Sequence, residues 1–187
     1  MFRIEVVSEI FTIFVAMETE TDQQMLPTFG LGMGKSERLR HKRLVDRLFR
    51  EGKSFYAYPL RVVYVVAPAE KAVGSFKSRH IPEGGDAAER LRRMNIESLQ
   101  MMVNIPKRKM RHAVDRVRLR RLVREAWRLS RVPLRGHLSD SGLSMSVALL
   151  YVSNEKLPYR VISQRMTHIM SRLEAAAADA AGKGETQ

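Results

Sequence analysis

Residues 112–131, HAVDRVRLRRLVREAWRLSR, constrain this chain more than any other segment. At 100° per residue on an α-helix, Leu119, Leu122, Val123, Ala126 and Leu129 fall within about 120° of arc. Arg116, Arg120, Arg121, Arg124, Arg128 and Arg131 fall within about 140° on the other side. Arg118 borders the two faces, and Trp127 interrupts the basic one, where packing at the helix edge accounts for it. A helix of this kind needs a hydrophobic layer against one side and a wet, anion-accepting surroundings on the other. Strand-forming segments on either side can supply the layer, so an anionic membrane is a poorer partner than nucleic acid.

The rest of the composition agrees. Of 187 residues 44% are hydrophobic, enough for a core in one compact domain. There is no cysteine, which excludes a disulfide scaffold, a zinc ribbon and a thiol nucleophile and fits a reducing cytoplasm. No apolar run approaches the ~20 residues of a membrane span. Charge is segregated along the chain: residues 1–34 carry a net −4, residues 35–66 a net +6 and residues 104–135 a net +10. In the last of these, twelve basic residues stand against only Asp115 and Glu125. Holding them together is repulsive, and a polyanion relieves the repulsion. Arginine adds a planar fork of donors that matches phosphate oxygens in pairs and stacks on exposed bases.

Periodicity places the other elements. HKRLVDRLFRE (41–51) predicts a short helix with Leu44, Val45, Leu48 and Phe49 on one side, stopped by Gly52 through its access to φ > 0. Phe55 to Val66 predicts a strand with Leu60, Val62 and Tyr64 on one face. Residues 67–98 mix Pro68, Gly74, Pro82 and Gly84–Gly85 with charges and predict a flexible insertion, in which AAERLRRM (87–94) can form a transient helix. Strands follow at 99–105 and 145–152. A final helix from Pro158 has a core stripe of Tyr159, Ile162, Met166, Ile169, Met170 and Leu173. Residues 1–33 read as an extension outside the fold and 175–187 as a disordered, alanine-rich tail. What remains, 34–174 less the insertion, is a small α/β domain of helix–strands–helix–strand–helix order.

Nothing in the polypeptide reads as an active site. The five histidines are scattered without ligand spacing, so no metal site is expected. Asp46, Asp115 and Glu125 stand among arginines, where ion pairs explain them; Glu125 with Arg121 makes an i, i+4 pair. GLGMG at 30–34 has the wrong spacing for a phosphate-cradling loop and reads as linker.

The segment HAVDRVRLRRLVREAWR resembles the signature of the protein subunit of bacterial ribonuclease P, in which AV precedes an RNRxKRxxRE string. Ala113 and Val114 are followed in that register by Arg116, Arg118, Arg121, Arg124 and Glu125. Val117 stands where the family has Asn, and Arg120 where it has Lys. Arg38–Leu39, Phe49 and Gly52 are similar to the family's RL…F…G opening helix, and IPKRK (105–109) to its VSKK element. The similarity spans roughly residues 35–66 and 99–173.

The resemblance implies an α/β sandwich, of α+β type, with a left-handed β-α-β crossover holding the arginine helix. It implies a subunit without catalysis of its own. The RNA subunit, with Mg²⁺, removes the 5′ leader of precursor tRNA, and the protein binds the RNA subunit and the leader. RNA-subunit contacts then fall to Arg116, Arg118, Arg120, Arg121, Arg124 and Arg128, with Lys107, Arg108 and Lys109. A cleft beside the opening helix, with Val45, Phe49, Arg38 and Tyr64, would take the leader. Phe49 has a competing place in the core, since an apolar stripe at helical spacing is ordinarily buried. No obligate protein partner is expected. Two other readings compete: a basic RNA-binding module of ribosomal or assembly type with no role in cleavage, and a nucleoid-type DNA binder. A single short helix without a dimer seam argues against the second.

Overall fold

The computed structural model describes residues 32–74, 76 and 84–184, so nearly all of the extension read over 1–33 lies outside the described residues. In chain order the elements are α1 (Lys42–Glu51), β1 (Lys53–Ala57), β2 (Leu60–Pro68), α2 (Ala69–Val73) and α3 (Ala87–Arg93). Then come β3 (Leu99–Asn104), α4 (Ala113–Ser130), α5 (Val132–Asp140), β4 (Leu143–Tyr151) and α6 (Tyr159–Gly184). The strands form one sheet in the order β1-β2-β4-β3. It is antiparallel except where β3 runs parallel to β4, Met101 opposite Val147. A parallel pair needs a crossover, and α4 with α5 supplies it. The mixed α/β class expected from the sequence is therefore the one observed.

Both faces of the sheet are covered, and strand alternation sorts the residues between them. Leu60, Val62, Met101, Met145, Val147 and Leu149 face a core built with α4, α5 and α6, including Leu119, Val123, Trp127, Leu134, Ile162 and Met166. Val63 and Ala148 face the opposite way, onto Leu44 and Leu48 of α1. Leu48 is fully buried there, so truncation to Ala would cost about 2–5 kcal/mol.

Four expectations change. The run Phe55–Val66 is a hairpin rather than one strand: Tyr58–Pro59 is a cis peptide in the turn, and Phe55 pairs with Val62. Pro59 has no N–H to give a ladder, so a turn accommodates it better than a strand interior. The insertion 67–98 contributes two short helices rather than flexible chain alone. Ala69, Ala72, Val73, Leu91 and Ile96 bury themselves in the second core over α1. The α3 start is capped by Asp86, whose carboxylate accepts from Glu89 N at 2.6 Å. Residues 132–140, given no element above, form α5 despite Pro133 and Gly136. The alanine-rich segment read as a disordered tail instead continues α6 as far as Gly184, with Ala177 buried in the first core. Alanine is the best helix former, and a packed start lets it propagate.

Gly52 does end α1, but for another reason than the one read from the sequence. Its φ is −72°, open to any residue. A Cβ there would collide with the Leu48 carbonyl and stand 3.0 Å from Val63 Cγ1. The glycine is needed for the close approach of α1 to β2.

Candidate nucleic-acid interface

The segment before α1 is laid along the outer edge of β3. Leu39 N donates to Met101 O and Met101 N to Glu37 O, each at 2.9 Å. Leu39 turns into the core beneath α1. Glu37 is held under α4 and α5 by Arg131, whose Nε and Nη2 meet its two carboxylate oxygens at 3.0 and 3.1 Å. Arg135 adds a third contact at 3.1 Å. The Arg131 and Glu37 side chains are only 2% and 5% exposed. The wheel put Arg131 on the basic face; in the structure it is a buried structural cation.

The rest of α4 divides as its pattern predicts. Leu119, Val123, Ala126 and Trp127 are buried, so Trp127 is a core residue at the edge of the packed stripe. Arg118, Arg121 and Arg124 are exposed and have no carboxylate partner among the described residues. Arg116 and Arg120 are half-buried and partly committed to the backbone. Arg116 Nη1 donates to Met110 O at 3.0 Å and to Arg111 O at 2.7 Å, tying the preceding turn to the helix. Arg120 Nε donates to Arg116 O at 3.2 Å. Arg128 forms a two-pronged pair with Glu125, at 2.9 and 2.6 Å. That replaces the Glu125–Arg121 pair expected from spacing, and it leaves Arg121 available. Asp115 pairs with Lys156 at 2.8 Å.

Arg124 registers the crowding. Partial burial, then the positive charges of Arg38, Arg120 and Arg40, push its guanidinium below the ordinary arginine value. Arg38 thus belongs electrostatically with the arginine helix, since its neighbour Leu39 is the residue that turns towards α1. Its Nε is buried without a hydrogen-bond acceptor. An anion would relieve both conditions.

On the other face of the sheet, α1 shows an exposed aromatic. Phe49 is 52% exposed, so it is not a core residue, while Val45, one turn earlier, packs partly on the second core. Tyr64 is not beside them. It packs on the first core, edge-on to Phe55 at 5.9 Å, on the opposite face of the sheet. Alternation from the buried Val63 instead puts Arg61 on the α1 side, paired across the hairpin with Tyr56. The Arg61 guanidinium lies 5.4 Å from the Tyr56 ring centroid. Both line a cavity of about 250 Å³ with Asn104, Leu150, Arg108 and Lys109. The basic turn 107–109 therefore lies between this cavity and the start of α4. Arg61 and Tyr56 were missed by the sequence reading; recognising Tyr58–Pro59 as a turn would have exposed the pair.

Among the described residues no three His, Asp or Glu side chains converge as a metal site. Among the same residues no helix is long and apolar enough to cross a membrane.

Comparison with known proteins finds relatives along most of the chain. The family described as Ribonuclease P matches residues 33–174. The ribonuclease P protein component of Porphyromonas gingivalis strain W83 is 32% identical over 159 residues, 85% of this chain and 97% of that protein. The ribonuclease P protein component of Chlorobium phaeobacteroides is 28% identical over 146 residues, 74% of this chain and 86% of that protein. The solved ribonuclease P protein of Staphylococcus aureus superposes with a TM-score of 0.46 at 13% identity, covering 74% of this chain and 95% of that one.

Proposed function

Because the chain belongs to the ribonuclease P protein family, we propose that it binds the catalytic RNA subunit through α4 and the 5′ leader of precursor tRNA across the α1 face. The single observation that carries the first half is the row Arg118, Arg121 and Arg124, exposed and without acid partners among the described residues. Each guanidinium offers paired donors to phosphate. Lys107, Arg108 and Lys109 extend the row to the sheet, and Arg38 adds charge beside Arg124. Arg116 and Arg120 stiffen the entry to the helix while keeping part of their charge outward. Arg128 contributes less than its wheel position implies, because Glu125 already occupies it.

For the leader, Phe49 offers a ring face to an unpaired base. Arg61 and Tyr56, with Arg108 and Lys109, offer cations and a second ring on the same side of the sheet. Among the described residues no three His, Asp or Glu side chains gather where they could hold a metal for phosphodiester hydrolysis. We assign that chemistry, and the Mg²⁺ it uses, to the RNA. The protein's part is to neutralise phosphates that would otherwise repel one another and to hold the leader in place. The setting is the cytoplasm, where precursor tRNA is processed.

Titration of a bacterial ribonuclease P RNA across salt concentrations tests the reading. If about six basic side chains meet phosphates, affinity falls ~10³-fold or more between low and moderate salt. Weak binding with little salt dependence would contradict it.

A further inference from the structure

The arginine face of α4 is not uniformly polar. Val114 is 79% exposed and Val117 41% exposed, and one turn after each stands an exposed arginine, Arg118 and Arg121. Two adjacent i+4 ridges of the helix, Ala113–Val117–Arg121 and Val114–Arg118–Leu122, border a shallow, open concavity of about 470 Å³. Ala113, Val114 and Val117 line it towards the N-terminus of α4, and Arg118, Arg121 and Leu122 line the rest. Neither Arg118 nor Arg121 has an acid partner among the described residues. An apolar patch beside unpaired cations is costly to leave in water and suits a ligand with an apolar face and an anionic backbone.

Building on the RNA-subunit reading above, we propose that this groove seats an unpaired nucleobase of the RNA subunit. The base lies against Val114 and Val117, and its flanking phosphates meet Arg118 and Arg121. A duplex is a poor occupant: its base faces are stacked inward, and it presents riboses and phosphates to a protein. An unstacked base exposes a flat face that aliphatic side chains cover and guanidinium planes extend. Charge complementarity also selects RNA over a protein segment, since the groove stands in the most cationic stretch of the chain. Val117 is the residue that departs from the family signature, where Asn stands. In this protein that position carries an apolar, β-branched side chain, which suits contact with the face of a base.

The test is a pair of substitutions that keep shape and β-branching, Val114→Thr and Val117→Thr together, measured by titration with bacterial ribonuclease P RNA across salt. Both positions are solvent-exposed, and circular dichroism with thermal melting checks that the fold is kept. Affinity should fall roughly five- to tenfold at every salt concentration, with the slope of log K against log salt unchanged. A less negative heat capacity of binding should accompany the loss. Unchanged affinity would overturn the proposal and leave the groove to a protein partner. A flattened slope would overturn it too, because the valines would then be acting through the arginines. If the unsubstituted protein fails to bind the RNA at all, the underlying reading falls first, a result distinct from either.

Discussion

Two arginine populations lie about two to four helical turns apart along α4 and its C-cap, and they do opposite things. Arg131 is buried against Glu37 with both prongs satisfied, and it accepts no further anion. Arg118, Arg121 and Arg124 are exposed and face no carboxylate among the described residues. Residue type is the same in the two groups, and the wheel sets Arg131 on the same face as Arg121 and Arg124. What separates them is a partner 94 residues away in sequence. A basic helix face is thus informative about nucleic acid only after the cations spent on folding have been subtracted.

The largest effect should come from the folding population. Glu37→Gln leaves a buried guanidinium without its counter-charge, and unfolding in urea should register a loss of about 3–5 kcal/mol. The salt dependence of RNA binding by the protein that remains folded should not change. A loss below ~1 kcal/mol would break the comparison at its structural end. Next comes the exposed population. Arg118, Arg121 and Arg124 replaced together by Ala should flatten the salt slope by about two units, with stability altered by no more than ~0.5 kcal/mol per site. An unchanged slope would remove these residues from the interface.

Phe49→Ala separates the α1 face from α4. Loss of one base–aromatic stack corresponds to about 1–3 kcal/mol, and it should appear only for precursor tRNA that carries a leader. Equal losses with and without a leader would return Phe49 to a general packing role. The smallest effect sharpens the boundary between the populations. Glu125→Gln releases Arg128 from its pair and should steepen the salt slope by at most about one unit. The hydrogen bond from Arg128 holds the Glu125 carboxyl below its ordinary value of 4.5. The native pair is therefore present at and above about pH 4.5 and lost as pH falls through that lowered value. Acidification should reproduce the substitution's effect at this site, and the Gln variant should show no such acid dependence.

The distinction between local and distant causes also explains what could be read in advance. α4 was legible because its stripe, Leu119, Val123 and Ala126, repeats at helical spacing within one segment. Its basic face was legible for the same reason, except at Arg131. There the deciding residue, Glu37, lies in a segment with no periodicity of its own. Tyr64 was placed beside α1 by the resemblance, not by the alternation, which had already set it with Leu60 and Val62; that face turns away from α1. The insertion looked flexible because Ala69, Ala72, Leu91 and Ile96 are sparse among glycines and charges. They become a core only once α1 and β2 lie beneath them. α5 has no strong stripe, and its Leu134 and Leu138 acquire meaning from the sheet they cover.

The most direct measurement is cleavage of precursor tRNA by a bacterial ribonuclease P RNA at low Mg²⁺, with and without this protein, with the product 5′ end mapped. The account predicts that cleavage at the mature tRNA start, faint with the RNA alone, is restored when the protein is added. Tight binding of the RNA without any gain in cleavage would contradict it, and would leave an RNA-binding protein of this fold with no part in the reaction.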